Sequence, residues 1–86
     1  MTSERPAEIT LYTKPGCHLC DAVEQVIAQV ARRRPITLKK VNILDDPDAK
    51  EKYRHEIPVV FLGGREIARH RLTTAELGAA LDQTPE

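Results

Sequence analysis

The feature that most constrains this chain is a change of hydrophobic period near its start. Glu8-Ile9-Thr10-Leu11-Tyr12-Thr13 alternates, with Ile9 and Leu11 on one side, which predicts a strand. Lys14-Pro15-Gly16 breaks it. Leu19, Ala22, Val23, Val26, Ile27 and Val30 then recur at spacings of three and four, which predicts an amphipathic helix over residues 17–33. Arg32-Arg33-Arg34 suits the carbonyl end of that helix, and Pro35 stops it. A strand that runs straight into a helix reaches its neighbour by a crossover, so the next strand should lie parallel to the first.

The remainder completes an α/β pattern. Residues 36–43 read as a second strand, although the alternation slips a place between Leu38 and Val41. Asp46-Pro47 reads as an N-cap followed by proline at the first helical position, opening a short helix over 47–55. Val59-Val60-Phe61-Leu62 is wholly apolar, as a buried strand requires. Gly63-Gly64 fits a two-residue hairpin turn that needs positive φ, returning through 65–69 as an antiparallel strand. Thr73 and Glu76 have capping-box spacing for a last helix carrying Leu77, Ala80 and Leu81. Gly78 inside that helix suggests close packing against a neighbour. The order is β-α-β-α-β-β-α, and its economical architecture is a mixed four-stranded sheet with three helices.

With 86 residues the chain has room for one domain, expected over 8–86 behind a flexible lead at 1–7. Lys plus Arg and Asp plus Glu number 13 each, so there is no basic surplus for nucleic acid. No apolar run approaches the roughly 18 residues of a membrane span, and the polar start has no signal core. The expected setting is therefore cytoplasmic, without membrane or nucleic-acid partners.

Cys17-His18-Leu19-Cys20 falls where the first strand gives way to the first helix. A disulfide across so short a loop removes little unfolded-chain entropy, so the pair is a weak staple. A zinc site needs about four ligands, and His18, His55 and His70 offer no second pair at the right spacing, so no metal is expected. Inert thiols belong in a buried position rather than at an exposed helix start. Unpaired N–H groups and the helix dipole stabilise a thiolate at that start, so the Cys17 pKa should fall, with Lys14 and protonated His18 adding to the effect and Asp21 opposing it. Cys17 is thus the candidate attacking thiolate and Cys20, one turn deeper, the resolving thiol of a dithiol–disulfide cycle that needs no tightly bound cofactor.

A strand, a Cys-x-x-Cys that opens a helix, and Ile57-Pro58-Val59 ahead of a buried strand resemble the thioredoxin superfamily. The length, the element order and the stretch Leu11-Tyr12-Thr13-Lys14-Pro15-Gly16-Cys17-His18-Leu19-Cys20 are similar to glutaredoxin-like domains, over about residues 8–82. The resemblance implies a thioredoxin-like fold and a thiol–disulfide oxidoreductase acting in electron transport and cell redox homeostasis. It implies a cis peptide before Pro58, with the backbone at Ile57 and Val59 presented to an extended substrate. It implies that Pro58 keeps metal from the thiols, that Lys14 meets a glutathione carboxylate, and that Gly63 and Gly64 belong to the substrate-binding set beside His18.

The chain departs from better-known glutaredoxins in the His18-Leu19 pair, in Ile57 before the proline, and in Arg65 and Glu66 after the two glycines. Half of the glutathione grip is altered. Glutathione as co-substrate and a protein disulfide served by a thioredoxin-type reductase therefore stand as alternatives, for a protein expected to be a monomer. A non-catalytic thioredoxin-fold module that docks a protein partner is the other functional class. Elsewhere, Asp45, Asp46 and Asp48 are explained by capping, Arg32-Arg33-Arg34 by a solvated helix end, and Arg65, Arg69, His70 and Arg71 by protection of a sheet edge.

Overall fold

The computed structural model describes residues 5–83. Positions 1–4 of the expected lead lie outside the described residues, and regular structure begins with β1, Ala7–Thr13, whose first amide donates to Pro35 O at 3.0 Å. There follow α1 (His18–Ala31), β2 (Ile36–Asn42), a 3₁₀ turn (Ile43–Asp45), α2 (Pro47–Tyr53), β3 (Val59–Leu62), β4 (Arg65–Arg69) and α3 (Thr74–Gln83). Among the described residues, no helix is long and apolar enough to cross a membrane.

The sheet order is β2-β1-β3-β4. Strand β1 pairs parallel with β2 and antiparallel with β3, and β4 closes the second edge against β3. The mixed sheet and the β-α-β-α-β-β-α order match the thioredoxin-like expectation. Ile9 and Leu11 of β1, with Val60 and Leu62 of β3, are buried on one face. Val23, Ile27 and Val30 of α1 and Leu77 and Leu81 of α3 cover that face and form the main core with them. The other face carries every aromatic residue of the chain: Tyr12, Phe61 and, from α2, Tyr53, with ring centroids 5.0 to 6.4 Å apart.

Local signals account for the element ends. Asp46 Oδ1 accepts from the amides of Asp48 and Ala49 at 3.1 and 3.2 Å, the N-cap expected for α2. Thr73 and Glu76 close a reciprocal capping box, Thr73 N donating to Glu76 Oε1 at 2.9 Å and Glu76 N to Thr73 Oγ1 at 3.0 Å. Gly63 has φ +61° while Gly64 lies outside the left-handed region, the φ signature of a II′ hairpin turn.

Two sequence expectations need correction, those for the apolar stripe of α1 and for Gly78, while the expected strands β2 and β4 are present with added detail. The buried line of α1 is Cys20, Val23, Ile27 and Val30, leaving Leu19 47% exposed and Ala22 on the solvent side. The slip in β2 is no break in pairing, since its register with β1 is continuous. Lys40 instead takes the position facing α1 and donates to Glu24 Oε2 at 3.1 Å. Strand β4 is not regular: the pairing shifts between Val60 and Phe61 and leaves Ile67 as an extra residue, so Ile67 and Ala68 both pack on the main core. Gly78 is not there for close packing, because a Cβ at that position would meet nothing within 4 Å.

Candidate redox site

Gly16, at φ +81°, turns the chain out of β1 in a conformation that a Cβ would strain. The turn delivers Cys17 as the N-cap of α1, in extended conformation at φ −93° and ψ 108°. Cap residues commonly satisfy a free helix amide with a side-chain oxygen. Here the acceptor is sulfur: Cys17 Sγ takes the amide of Cys20 at 3.1 Å, and Cys17 O takes the amide of Asp21 at 3.1 Å. Cys17 and Cys20 form a disulfide with Cα atoms 5.2 Å apart. Cys17 is half-buried, whereas Cys20 is 1% exposed and belongs to the buried line of α1. Lys14 and His18, which precede and follow Cys17 in the chain, are exposed.

A second apolar cluster backs the disulfide. It joins Cys20 to Ile43, Ala49 and Ile57, with Tyr12, Tyr53 and Cys17 packed against it. The Ile57–Pro58 peptide is cis, as the family resemblance implied. Tertiary packing thus brings Ile57 against the cysteines, and Pro58 and Val59 follow it fully buried. Two backbone groups there are already engaged: Ile57 N donates to Tyr53 O at 3.1 Å, and Pro58 O accepts from His70 N at 2.7 Å.

Gly63 and Gly64 are not part of this assembly. Strand β3 starts opposite Tyr12, near the cysteines, and runs antiparallel to β1, so its end pairs with Ile9. Four residues at about 3.4 Å each place the glycine turn about 14 Å from Val59. Gly63 N donates to Glu8 O at 2.8 Å, at the opposite end of the sheet from Cys17.

The segment that does flank Pro58 follows β4. His70 sits there at φ +70°, an uncommon conformation for a residue with a Cβ. Its Nε2 lies 3.4 Å from Glu56 Oε1, which also accepts from Arg69 Nη1 at 3.4 Å. Arg69 lies over the Tyr53 ring, 5.7 Å from its centroid, and pairs with Glu66 through two further nitrogens. Hydrogen bonding to Arg69 holds the Glu66 carboxyl below its ordinary value, and the same bond raises the Arg69 guanidinium. Sequence reasoning placed Arg69 and His70 in an edge-protecting cluster and passed over Glu56. The adjacency of Glu56 to Ile57-Pro58 was the available signal, but its partners lie 13 and 14 residues away. Among the described residues, no three His, Cys, Asp or Glu side chains converge as a metal-ligand group.

Comparison with known proteins agrees with this picture. Residues 8–82 match the family model described as glutaredoxin-like domain (DUF836). The X-ray structure of the structural-genomics target protein XcR50 from X. campestris is 35% identical, with 90% of this chain and 99% of that one covered and a TM-score of 0.74. Protein Ne2328 from Nitrosomonas europaea is 22% identical, with 93% and 96% covered and a TM-score of 0.79. The germline-specific thioredoxin Deadhead from Drosophila melanogaster is 15% identical, with 93% and 82% covered and a TM-score of 0.61, a likeness of fold.

Proposed function

The chain belongs to the glutaredoxin-like domain family, and from that premise we propose that it is a thiol–disulfide oxidoreductase. The observation that carries this reading is the position of Cys17 Sγ, half-exposed at the N-cap of α1 and accepting the Cys20 amide, with Cys20 buried behind it. In the reduced protein that N–H and the helix dipole favour thiolate over thiol at Cys17. The thiolate attacks one sulfur of a substrate disulfide, forms a mixed disulfide and expels the other sulfur as a thiolate. Cys20 then loses its proton, attacks Cys17 Sγ and expels the second substrate thiolate. Two electrons pass to the substrate, and the Cys17–Cys20 disulfide remains. An external thiol or dithiol reverses these exchanges, either glutathione or a thioredoxin-type reductase.

Intact-mass analysis during turnover tests this assignment. Cys17→Ser should abolish disulfide exchange, and Cys20→Ser should accumulate one substrate adduct per chain. Alkylation of the reduced wild-type protein should follow a thiolate that forms below about pH 8.5, the value for free cysteine. In glutathione buffers the pair should titrate reversibly between about −270 and −120 mV. Glutathione adducts along the way favour glutathione as donor, and their absence favours the reductase. A Cys17→Ser protein that exchanged disulfides at the wild-type rate would falsify the roles of both cysteines.

A further inference from the structure

The three consecutive arginines after α1 have no part in the redox site. The 14 residues of α1, at about 1.5 Å each, carry them about 20 Å from Cys17. There Arg32, Arg33 and Arg34 rim a cavity of about 510 Å³ between the end of α1 and the first turns of α3. Val30, Ala75 and Gly78 supply its apolar lining. The volume falls within the roughly 300–1,000 Å³ of small-molecule sites.

Two independent observations say what the cavity accepts. The first is charge. Arg34 Nη1 is committed to α3, 2.7 Å from Asp82 Oδ1 and 3.5 Å from Gly78 O. Glu76 is turned to its own capping box at Thr73. Among the described residues, Arg32 and Arg33 have no carboxylate within 4.0 Å. Among the described residues, two arginines that line the concave surface are therefore left without an ion-pair partner.

The second observation is Gly78. A glycine inside a helix costs about 1 kcal/mol against alanine. Nothing in the fold requires it, since a side chain at Gly78 would have open space before it. Gly78 is also one of the residues that line the cavity. The missing side chain keeps the cavity clear, and this is a reason for glycine that folding does not provide.

We propose that the groove binds a phosphate monoester with a small apolar body. Two guanidinium groups match the two charges of a phosphate monoester and can each engage it through paired N–H donors. A monocarboxylate would leave one of them uncompensated. The body lies against Val30, Ala75 and the bare backbone of Gly78.

Amide chemical-shift titrations of the full chain in chloride buffer test this, with phenyl phosphate, inorganic phosphate and benzoate as probes. Phenyl phosphate should shift the amides of residues 29–34 and 74–78 saturably. It should bind about tenfold tighter than either of the other probes, a difference of about 1.4 kcal/mol. Arg33→Gln should weaken it by about tenfold or more, the loss of a charge-assisted hydrogen bond. Gly78→Leu, which fills open space and should leave the fold intact, should block it. The proposal is overturned if phenyl phosphate gives no saturable shifts in these two segments. It is equally overturned if benzoate or inorganic phosphate binds as tightly, or if either variant binds like wild type. None of these readings depends on the cysteines, so failure of the groove leaves the redox assignment untouched.

Discussion

Replacing Gly78 by alanine should make this domain more stable, against the usual direction of a helix substitution at a half-buried site. Glycine is the worst ordinary residue for a helix interior because the unfolded chain loses most freedom there, and the difference from alanine is about 0.8–1 kcal/mol. The gain is realised only if the new methyl group meets no obstacle. A Cβ built at Gly78 has nothing within 4 Å, so nothing should be subtracted. The hydrogen bond from Arg34 goes to the Gly78 carbonyl and is indifferent to the side chain. For a domain of this size about 1 kcal/mol corresponds to about 4–8 °C in Tm. Thermal unfolding followed by circular dichroism, in the oxidised protein, measures it. Ala79→Gly, at the neighbouring exposed position, should lower Tm by a similar amount and return the double variant close to wild type. An unchanged or lowered Tm for Gly78→Ala, with Ala79→Gly destabilising as expected, would refute the argument that the space beside Gly78 is open.

Two further outcomes follow from local geometry. Asp46→Ala removes the acceptor for two amides at the start of α2 and should cost about 1 kcal/mol, read from urea midpoints. The pair Glu66–Arg69 makes stability depend on pH in a defined direction. Arg69 holds the Glu66 carboxyl below its ordinary 4.5 in the folded state, so the folded protein takes up that proton less readily than the unfolded chain. The stabilisation is present above the ordinary carboxylate range and is lost as pH falls through the folded value. Glu66→Gln should therefore lower Tm slightly at pH 7 and in low salt, with the difference from wild type vanishing in acid. A deficit that grew on acidification would contradict it.

Much of the site was readable because its signals act within one helical turn. Cys17 and Cys20 are three residues apart, and the thiol that caps a helix is identified by the strand, the break and the helix around it. Gly63 and Gly64 were assigned to the same site through resemblance and lie at the other end of the sheet. Their local reading as a hairpin turn was sound, yet nothing local says which end of the sheet a turn occupies. That depends on β3 lying antiparallel beside β1. The same pairing carries β4 back toward the cysteines and sets His70 on Pro58.

By itself the sequence determined the element order, the caps at Asp46 and Thr73 and the placement of the dithiol at a helix start. Each depends on hydrogen bonds or periodicity spanning a few residues. Tertiary structure alone decided the central place of β1, the extra residue at Ile67, the exposed ion pair between Lys40 and Glu24 of α1 and the company that Glu56 keeps. It also made a cavity from an arginine run and a glycine 44 residues apart. Those outcomes depend on which faces meet when the sheet closes on its helices, and residues distant along the chain become neighbours only through that packing.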